Sequence, residues 1–206
     1  MNNNNQNCTS DIRSNNILTT VRGFLEGEKV LLRPLVVEDA YGNYPHWFND
    51  ANVSKGNSHH VFPYTQQEAL EYIQSLSQRK DILSLAIIDK LDMIHIGNIS
   101  LQNINFIYRS AELAIIIGEK SAWGKGYGKE ASYLLTAHGF YALNMHRIQC
   151  ATFSDNIGMQ KIALHIGMIL EGKRRESVYK NGRFLDIYEY GVLASEFYNL
   201  QQQKKL

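Results

Sequence analysis

The sequence predicts a mixed α/β (α+β) domain, a mostly antiparallel sheet of six to seven strands with helices on both faces. Three observations predict it. Short apolar runs rich in β-favouring residues alternate with stretches of helical apolar spacing. At two places such runs follow one another across a short polar turn, as antiparallel hairpins do. One run passes through a glycine-rich turn directly into a helix, the arrangement that places a helix on a sheet face.

Taken in order, Val30, Leu31 and Leu32 form a first strand, which Pro34 ends by removing a backbone donor. Residues 38–49 carry Tyr41, Tyr44, Trp47 and Phe48 at three- and four-residue spacings, a helix face that Pro45 must kink or interrupt. Thr65 and Glu68 make a capping box that opens a helix with the stripe Ala69, Tyr72, Ile73 and Leu76. Residues 83–88 and 94–101 pair as a hairpin. A fourth strand, 111–117, ends at Gly118 and leads to the glycine turn 124–128, after which Ala131, Leu134, Leu135, His138 and Tyr141 recur at helical spacing. Residues 146–153 form a fifth strand and 156–165 a helix that stops before Gly167. Two closing strands, 169–179 and 184–193, are joined through Asn181-Gly182, the strongest short hairpin signal. The order is βααβββαβαββ. Residues 1–22, polar and Asn-rich, are expected to be a flexible tail, 23–197 the domain and 198–206 a polar C-terminal tail.

The composition excludes several classes. In 206 residues, 21 Lys and Arg against 20 Asp and Glu leave a formal charge of +1, with no basic field to drive nucleic-acid binding. Cys8 and Cys150 supply neither a disulfide framework nor a metal-binding pair, and no metal site is expected. No stretch has the apolar length to span a bilayer, and the Asn-rich start lacks the cationic and apolar regions of a leader. A cytoplasmic protein with no membrane partner is the expectation.

The informative stretch is residues 111–119 followed by Trp123-Gly124-Lys125-Gly126-Tyr127-Gly128-Lys129-Glu130-Ala131. Glycines at alternate positions opening a helix let the backbone approach a ligand and aim unpaired N–H groups at it, which makes an anion site. It is not a Walker A loop, since no Gly-Lys-Ser or Gly-Lys-Thr follows, and it lacks the G-x-G-x-x-G spacing. A pyrophosphate of another kind is indicated. This strand, turn and helix resemble motif A of the GNAT superfamily of N-acetyltransferases, whose fixed glycine positions are matched by Gly126 and Gly128. Trp123 stands where Arg or Gln is usual, as in the branch resembling ribosomal-protein N-terminal acetyltransferases. Residues 156–168 resemble the family's Asn-led helix ending in Gly-Phe, and His146-Arg147-Ile148 the strand entry of that branch. The resemblance covers about residues 28–195.

The resemblance implies a GNAT fold whose fourth and fifth strands splay, and an enzyme that moves an acetyl group from acetyl-CoA to a primary amine. Amine attack on the thioester forms a tetrahedral oxyanion, and the coenzyme thiolate leaves. Ile115, Ile116 and Ile117 would hydrogen-bond the pantetheine arm. Residues 124–129 would cradle the pyrophosphate, with Lys125 and Lys129 as charge partners and Trp123 and Tyr127 in the same turn, and Asn156 would reach the pantetheine or a water. Glu112 resembles the family's frequent catalytic carboxylate, with Glu119, His59 and His60 as rivals. Many members carry a general-acid Tyr seven residues beyond the Asn; here that residue is Ala163, which leaves water or Ser154 to protonate the thiolate. His59, His60 and Tyr64 fall in the loop that lines the acceptor pocket of similar folds. The acceptor classes are an amino sugar nucleotide, an aminoglycoside or a polyamine. A protein N-terminal amine is the enzymatic alternative and a non-catalytic acyl-CoA-binding module the second. Lys173, Arg174, Arg175, Lys180 and Arg183 crowd the last hairpin, as a solvated edge or a phosphate-reading surface. A homodimer is the family's common state.

Overall fold

The computed structural model of the chain describes residues 23–204. Its strands are β1 (Leu25–Glu26), β2 (Val30–Pro34), β3 (Leu83–Asp89), β4 (His95–Asn105), β5 (Ser110–Ile117), β6 (Arg147–Phe153), β7 (Ile169–Lys180) and β8 (Arg183–Leu193). They form one eight-stranded sheet in the order β1-β2-β3-β4-β5-β6-β8-β7, in which β5 and β6 are parallel and every other neighbouring pair is antiparallel. The helices are α1 (Tyr44–Asn49), α2 (Gln66–Ser75), α3 (Tyr127–Tyr141), α4 (Ile157–His165) and α5 (Ala194–Lys204).

The alternation of the strands sorts side chains into two cores. On one face Leu113, Ile99 and Ile148 pack with Ala131 and Leu135 of α3 and Phe197 of α5. On the other, Leu31, Ala86 and Ile88 pack with Trp47 and Phe48 of α1 and Ala69 and Ile73 of α2. The capping box at Thr65 is formed, with its hydroxyl accepting from the Glu68 N–H at 3.2 Å and the Glu68 carboxylate accepting from the Thr65 N–H at 2.6 Å.

Three elements differ from expectation. The strand β1 is two residues long and carries no alternation to read. The helix expected over residues 38–49 resolves into a 3-10 turn, Val37–Tyr41, and α1, because Pro45 fits only a first helical turn, where its missing N–H has no intrahelical partner to lose. The domain boundary expected at 197 is passed by α5, which runs on through Lys204. Phe197 anchors that helix: it is fully buried, with its ring centroid 5.2 Å from that of Phe140, and burial of such a side chain is worth about 2–3 kcal/mol. The expected N-terminal tail, 1–22, lies outside the described residues.

Candidate active site

The sheet is split along one seam. Strands β5 and β6 pair only through Ser110↔Arg147, Ala111↔Ile148 and Glu112↔Gln149. Beyond Glu112 they diverge, while β6 keeps its pairing with β8 as far as Phe153↔Ile187. The backbone edge of β5 from Leu113 onward therefore faces a gap with its donors and acceptors unpaired by β6, and such groups need partners. A cavity of about 500 Å³ opens at this split. Its floor is the sheet face carrying Ser84 of β3 and Asn98, Ser100 and Gln102 of β4, continued on β5 by Ala114 and Ile116 opposite Ser100 and Asn98. Tyr44, Phe48, Tyr64 and Tyr72 line it from the α1 and α2 side. Residues 113–116 of β5, 151–153 of β6 and Asn156 and Met159 complete it.

At the far end of β5 the chain enters the glycine turn. Gly126 is the N-cap of α3 with φ of +91°, and Gly124 has φ of +76°. A Cβ at Gly124 would meet nothing, and one at Gly126 would come only within 3.8 Å of Lys29 Nζ. Backbone conformation rather than lack of space therefore selects glycine at both. No side chain caps α3; the Lys129 N–H turns back to the Gly126 carbonyl at 3.1 Å, and the N–H groups of Tyr127 and Gly128 are left for a ligand, with the helix dipole favouring an anion. The side chains of Lys125 and Lys129 are exposed here. The turn is joined by a cation the sequence pattern does not reveal: Lys29 Nζ donates to the Lys125 carbonyl at 3.3 Å. Glu130 brings it there, its carboxylate accepting the backbone N–H of Glu28 at 2.5 Å and of Lys29 at 2.9 Å. These donors and cations fit a coenzyme pyrophosphate. Other expected contacts serve the scaffold. The Trp123 indole donates to the Ile117 carbonyl at 2.9 Å, and the Tyr127 hydroxyl donates to Asp89 at 2.6 Å. Ile115 and Ile116 line the cavity, and Ile117 lies one residue beyond its lining.

The expected acceptor loop is part of the cavity wall. His59 lines it with its ring 4.4 Å from Phe48, and burial first, then the nearby Lys180 ammonium, pulls its pKa below the ordinary histidine range. His60 does not line this cavity. It is exposed, at φ of +62°, and borders a smaller cavity of about 200 Å³ shared with Phe62 and Glu68. Burial, above all, raises the phenol pKa of Tyr64 and of Tyr44. The wall segment 54–59 is held from outside by side chains. Lys180 Nζ donates to the carbonyls of Ser54 at 2.8 Å, His59 at 2.9 Å and Asn57, and Asn156 Nδ2 donates to the Gly56 carbonyl at 2.9 Å. Asn156 also caps α4, its Oδ1 accepting from the Met159 N–H at 3.0 Å. Both ends of that amide are therefore engaged by protein, although Asn156 lines the cavity as expected. Lys180 is likewise committed to carbonyls, and Lys173, Arg174 and Arg183 pair with Asp186, Glu189 and Asp155. Four of the five hairpin cations are thus engaged within the protein, while the exposed Arg175 makes no ion pair among the described residues.

The proton-handling residues are dispersed. Glu112 sits on the last rung before the split, on the same β5 face as the lining residues Ala114 and Ile116, and accepts from Asn103 Nδ2 at 2.7 Å. It is not itself in the lining. Ser154 follows Phe153 at the end of β6 and is also outside the lining. Glu119 Oε1 accepts from Asn43 Nδ2 at 2.9 Å and from the Trp47 indole at 3.0 Å, which ties α1 to the end of β5, and Glu119 is not in the lining. Ala163 is fully buried in the main core with Ile166 and Met168. An Ala163→Tyr substitution is therefore expected to overpack the core, costing about 1–3 kcal/mol and lowering Tm by roughly 2 °C or more, without restoring an acid. Differential scanning calorimetry checks this, and an unshifted Tm with raised kcat contradicts it.

A buried relay beside the cavity, on the same face of the sheet, is not legible in the sequence. Arg33 grips Asp39 through two hydrogen bonds of 2.7 Å, and Asp39 Oδ1 lies 3.3 Å from His95 Nδ1. Burial alone would raise the Asp39 carboxyl, but Arg33, His95 and the Val36 N–H hold it well below the usual carboxylate range. His95 Nε2 in turn lies 2.8 Å from Asn98 Oδ1 and 3.0 Å from the Gly97 carbonyl.

A sheet split between two parallel strands, an anion-binding turn at the mouth of the split and a cavity beneath it define a coenzyme-dependent acyltransferase. The family model described as Acetyltransferase (GNAT) domain matches residues 29–169, and the chain belongs to that family. It is an N-acetyltransferase whose acetyl donor is acetyl-CoA. It is 28% identical over 174 residues to the uncharacterized N-acetyltransferase p20 of Bacillus licheniformis, covering 82% of this chain and 96% of that protein. It is 27% identical over 137 residues to the spermidine N(1)-acetyltransferase of Vibrio cholerae, covering 66% of this chain and 79% of that one. The crystal structure of spermidine N-acetyltransferase from Vibrio cholerae in complex with CoA and spermine has the same fold, with a TM-score of 0.76 at 24% identity, over 84% of this chain and 100% of that chain.

Proposed function

We propose that the chain acetylates the primary amine of a small molecule held in the cavity beneath the β5–β6 split. The observation that carries this reading is the split itself, whose unpaired β5 edge leads from the glycine turn to a partly enclosed cavity with a hydrogen-bonding floor. Acetyl-CoA supplies a thioester activated toward amines. In this reading the chain's own part is to bind and to orient. The first turn of α3, with Lys29, Lys125 and Lys129, holds the pyrophosphate, and the backbone of residues 115–117 holds the pantetheine amides. Glu112 draws the amine proton through a water, since it stands one residue outside the lining. The thiolate takes its proton from water or from Ser154; a thiol pKa near ~8.5 makes it a fair leaving group unaided. A panel of amino sugar nucleotides, aminoglycosides, polyamines and N-terminal peptides, incubated with acetyl-CoA and read by mass spectrometry, tests the reading. A small amine gaining one acetyl group supports it, and acetylation confined to peptide N-termini replaces it with the protein-modifying alternative.

Lys180 offers a second check. Its ammonium saturates three carbonyls of the wall segment, so Lys180→Met should loosen the segment that carries His59. Acceptor KM is expected to rise about tenfold, equivalent to ~1.4 kcal/mol, while coenzyme affinity holds. Equal changes in both would mean that the hairpin supports the whole domain and not this wall.

A further inference from the structure

Within this proposed function, we infer that the acceptor is a hydroxyl-bearing ring amine of the amino sugar class, read by the neutral polar floor of the cavity, with Asn98 as a specificity-determining residue. The floor is built from three strands in register: Ser84 stands opposite Ser100, Ser100 opposite Ala114, and Gln102 opposite Glu112. Asn98, opposite Ile116, completes it. Ser84, Asn98 and Ser100 are each more than nine-tenths buried, an unusual place for three polar side chains in the middle of a sheet. Gln102 Nε2 donates to Ser100 Oγ at 2.9 Å, so these two are mutually oriented.

Asn98 is fixed from the side by its neighbours on the same sheet face. The Gly97 carbonyl can only accept, which assigns a proton to His95 Nε2 and, with it, the Oδ1 end of the Asn98 amide to that same N–H. This orientation leaves Asn98 Nδ2 buried without a hydrogen-bond partner, beside the cavity that the residue lines. Rotating the amide to satisfy Nδ2 would break the bond to His95 and with it the link to Asp39 and Arg33. A buried donor held unpaired at a cavity wall is a cost that a bound oxygen atom removes. Hydroxyl and ring oxygens of a sugar supply such acceptors, and the hydroxyls of Ser84 and Ser100 can exchange hydrogen bonds with them in either sense. The opposite wall is lined by Tyr44, Tyr64 and Tyr72, aromatic side chains that suit the apolar side of a saturated ring. Among the described residues lining the cavity there is no Asp or Glu to pair with the second and third ammonium groups of a polyamine.

The test compares kcat/KM for glucosamine, for its hydroxyl-free analogue cyclohexylamine and for spermidine, with acetyl-CoA saturating. Because a site built to bond a hydroxyl strongly rejects an analogue lacking it, glucosamine is expected to exceed cyclohexylamine by roughly a hundredfold, and to exceed spermidine. In Asn98→Ala the ratio of glucosamine to cyclohexylamine should fall about tenfold, which a merely structural loss would not produce because it would lower both rates together. Cyclohexylamine or spermidine used as well as glucosamine by the wild type overturns the inference while leaving amine acetylation standing, and so does an unchanged ratio in a folded Asn98→Ala. If none of the broader amine panel is acetylated, it is the proposed function that fails, and this inference falls with it.

Discussion

In a Gly126→Val variant, coenzyme A affinity is expected to fall about a hundredfold, close to ~2.7 kcal/mol, while the domain stays folded. The cause is conformational. Gly126 caps α3 at φ of +91°, where an L-residue pays about 1–2 kcal/mol and a β-branched one more. The space around a Cβ is open apart from Lys29 Nζ at 3.8 Å, so valine does not clash its way out of the turn. It relaxes toward negative φ and carries the first N–H groups of α3 off their common focus. Asparagine tolerates the left-handed region better, so Gly126→Asn should keep most of the affinity that valine loses. Titration calorimetry measures both. A folded Gly126→Val with unchanged affinity would reduce the turn to a plain strand-to-helix connection.

A Glu112→Gln variant is expected to lose about a hundredfold in kcat at neutral pH with coenzyme affinity intact. Glu112 ends the paired part of the β5–β6 seam, and Asn103 Nδ2 at 2.7 Å fixes one of its oxygens. Glutamine keeps that geometry but cannot take up a proton. The sign of the pH dependence follows from the acceptor: as pH rises toward the amine's own pKa, free amine becomes available from solution and the base is needed less. The deficit should therefore shrink on the alkaline side. A variant with wild-type kcat at neutral pH would leave Glu112 a strand-end residue bound to Asn103 and nothing more.

These two variants rest on features of different visibility. The glycine turn was legible because its conformation is written locally, in residue types that only one backbone geometry requires. The Asn181-Gly182 hairpin and the Thr65-Glu68 capping box were legible for the same reason, and each is formed. The polar floor was not. Ser84, Asn98 and Ser100 sit inside strands that read as apolar; alternation puts Asn98 and Ser100 on one face of β4, but only the register of β3 on β4 brings Ser84 beside them. Lys29 is invisible as a site residue for a similar reason, and Lys180 is legible only as one charge of the last hairpin, since each reaches across about a hundred positions or more to the backbone it contacts. Long-range contacts of a flexible side chain leave no spacing to read. Two residues raised by pattern also bond within the scaffold, which no spacing shows: Glu119 to Asn43 and Trp47, and the hydroxyl of Tyr127 to Asp89. The C-terminal helix is not legible because its polar Gln run masks the two aromatic anchors, Phe197 and Tyr198, that hold it to the core.

The central claim is that this chain couples a coenzyme bound along the β5 edge to an amine in the cavity below it. Parallel measurement of free thiol release and acetylated amine, from the chain incubated with acetyl-CoA and an acceptor, tests it most directly. The account predicts that thiol and product rise together in one-to-one ratio, that both require the amine, and that both collapse in Gly126→Val at limiting coenzyme. Tight coenzyme binding with no amine-dependent thiol release, across the whole acceptor panel, would contradict it and mark the chain as a module that holds acyl-CoA without transferring its acyl group.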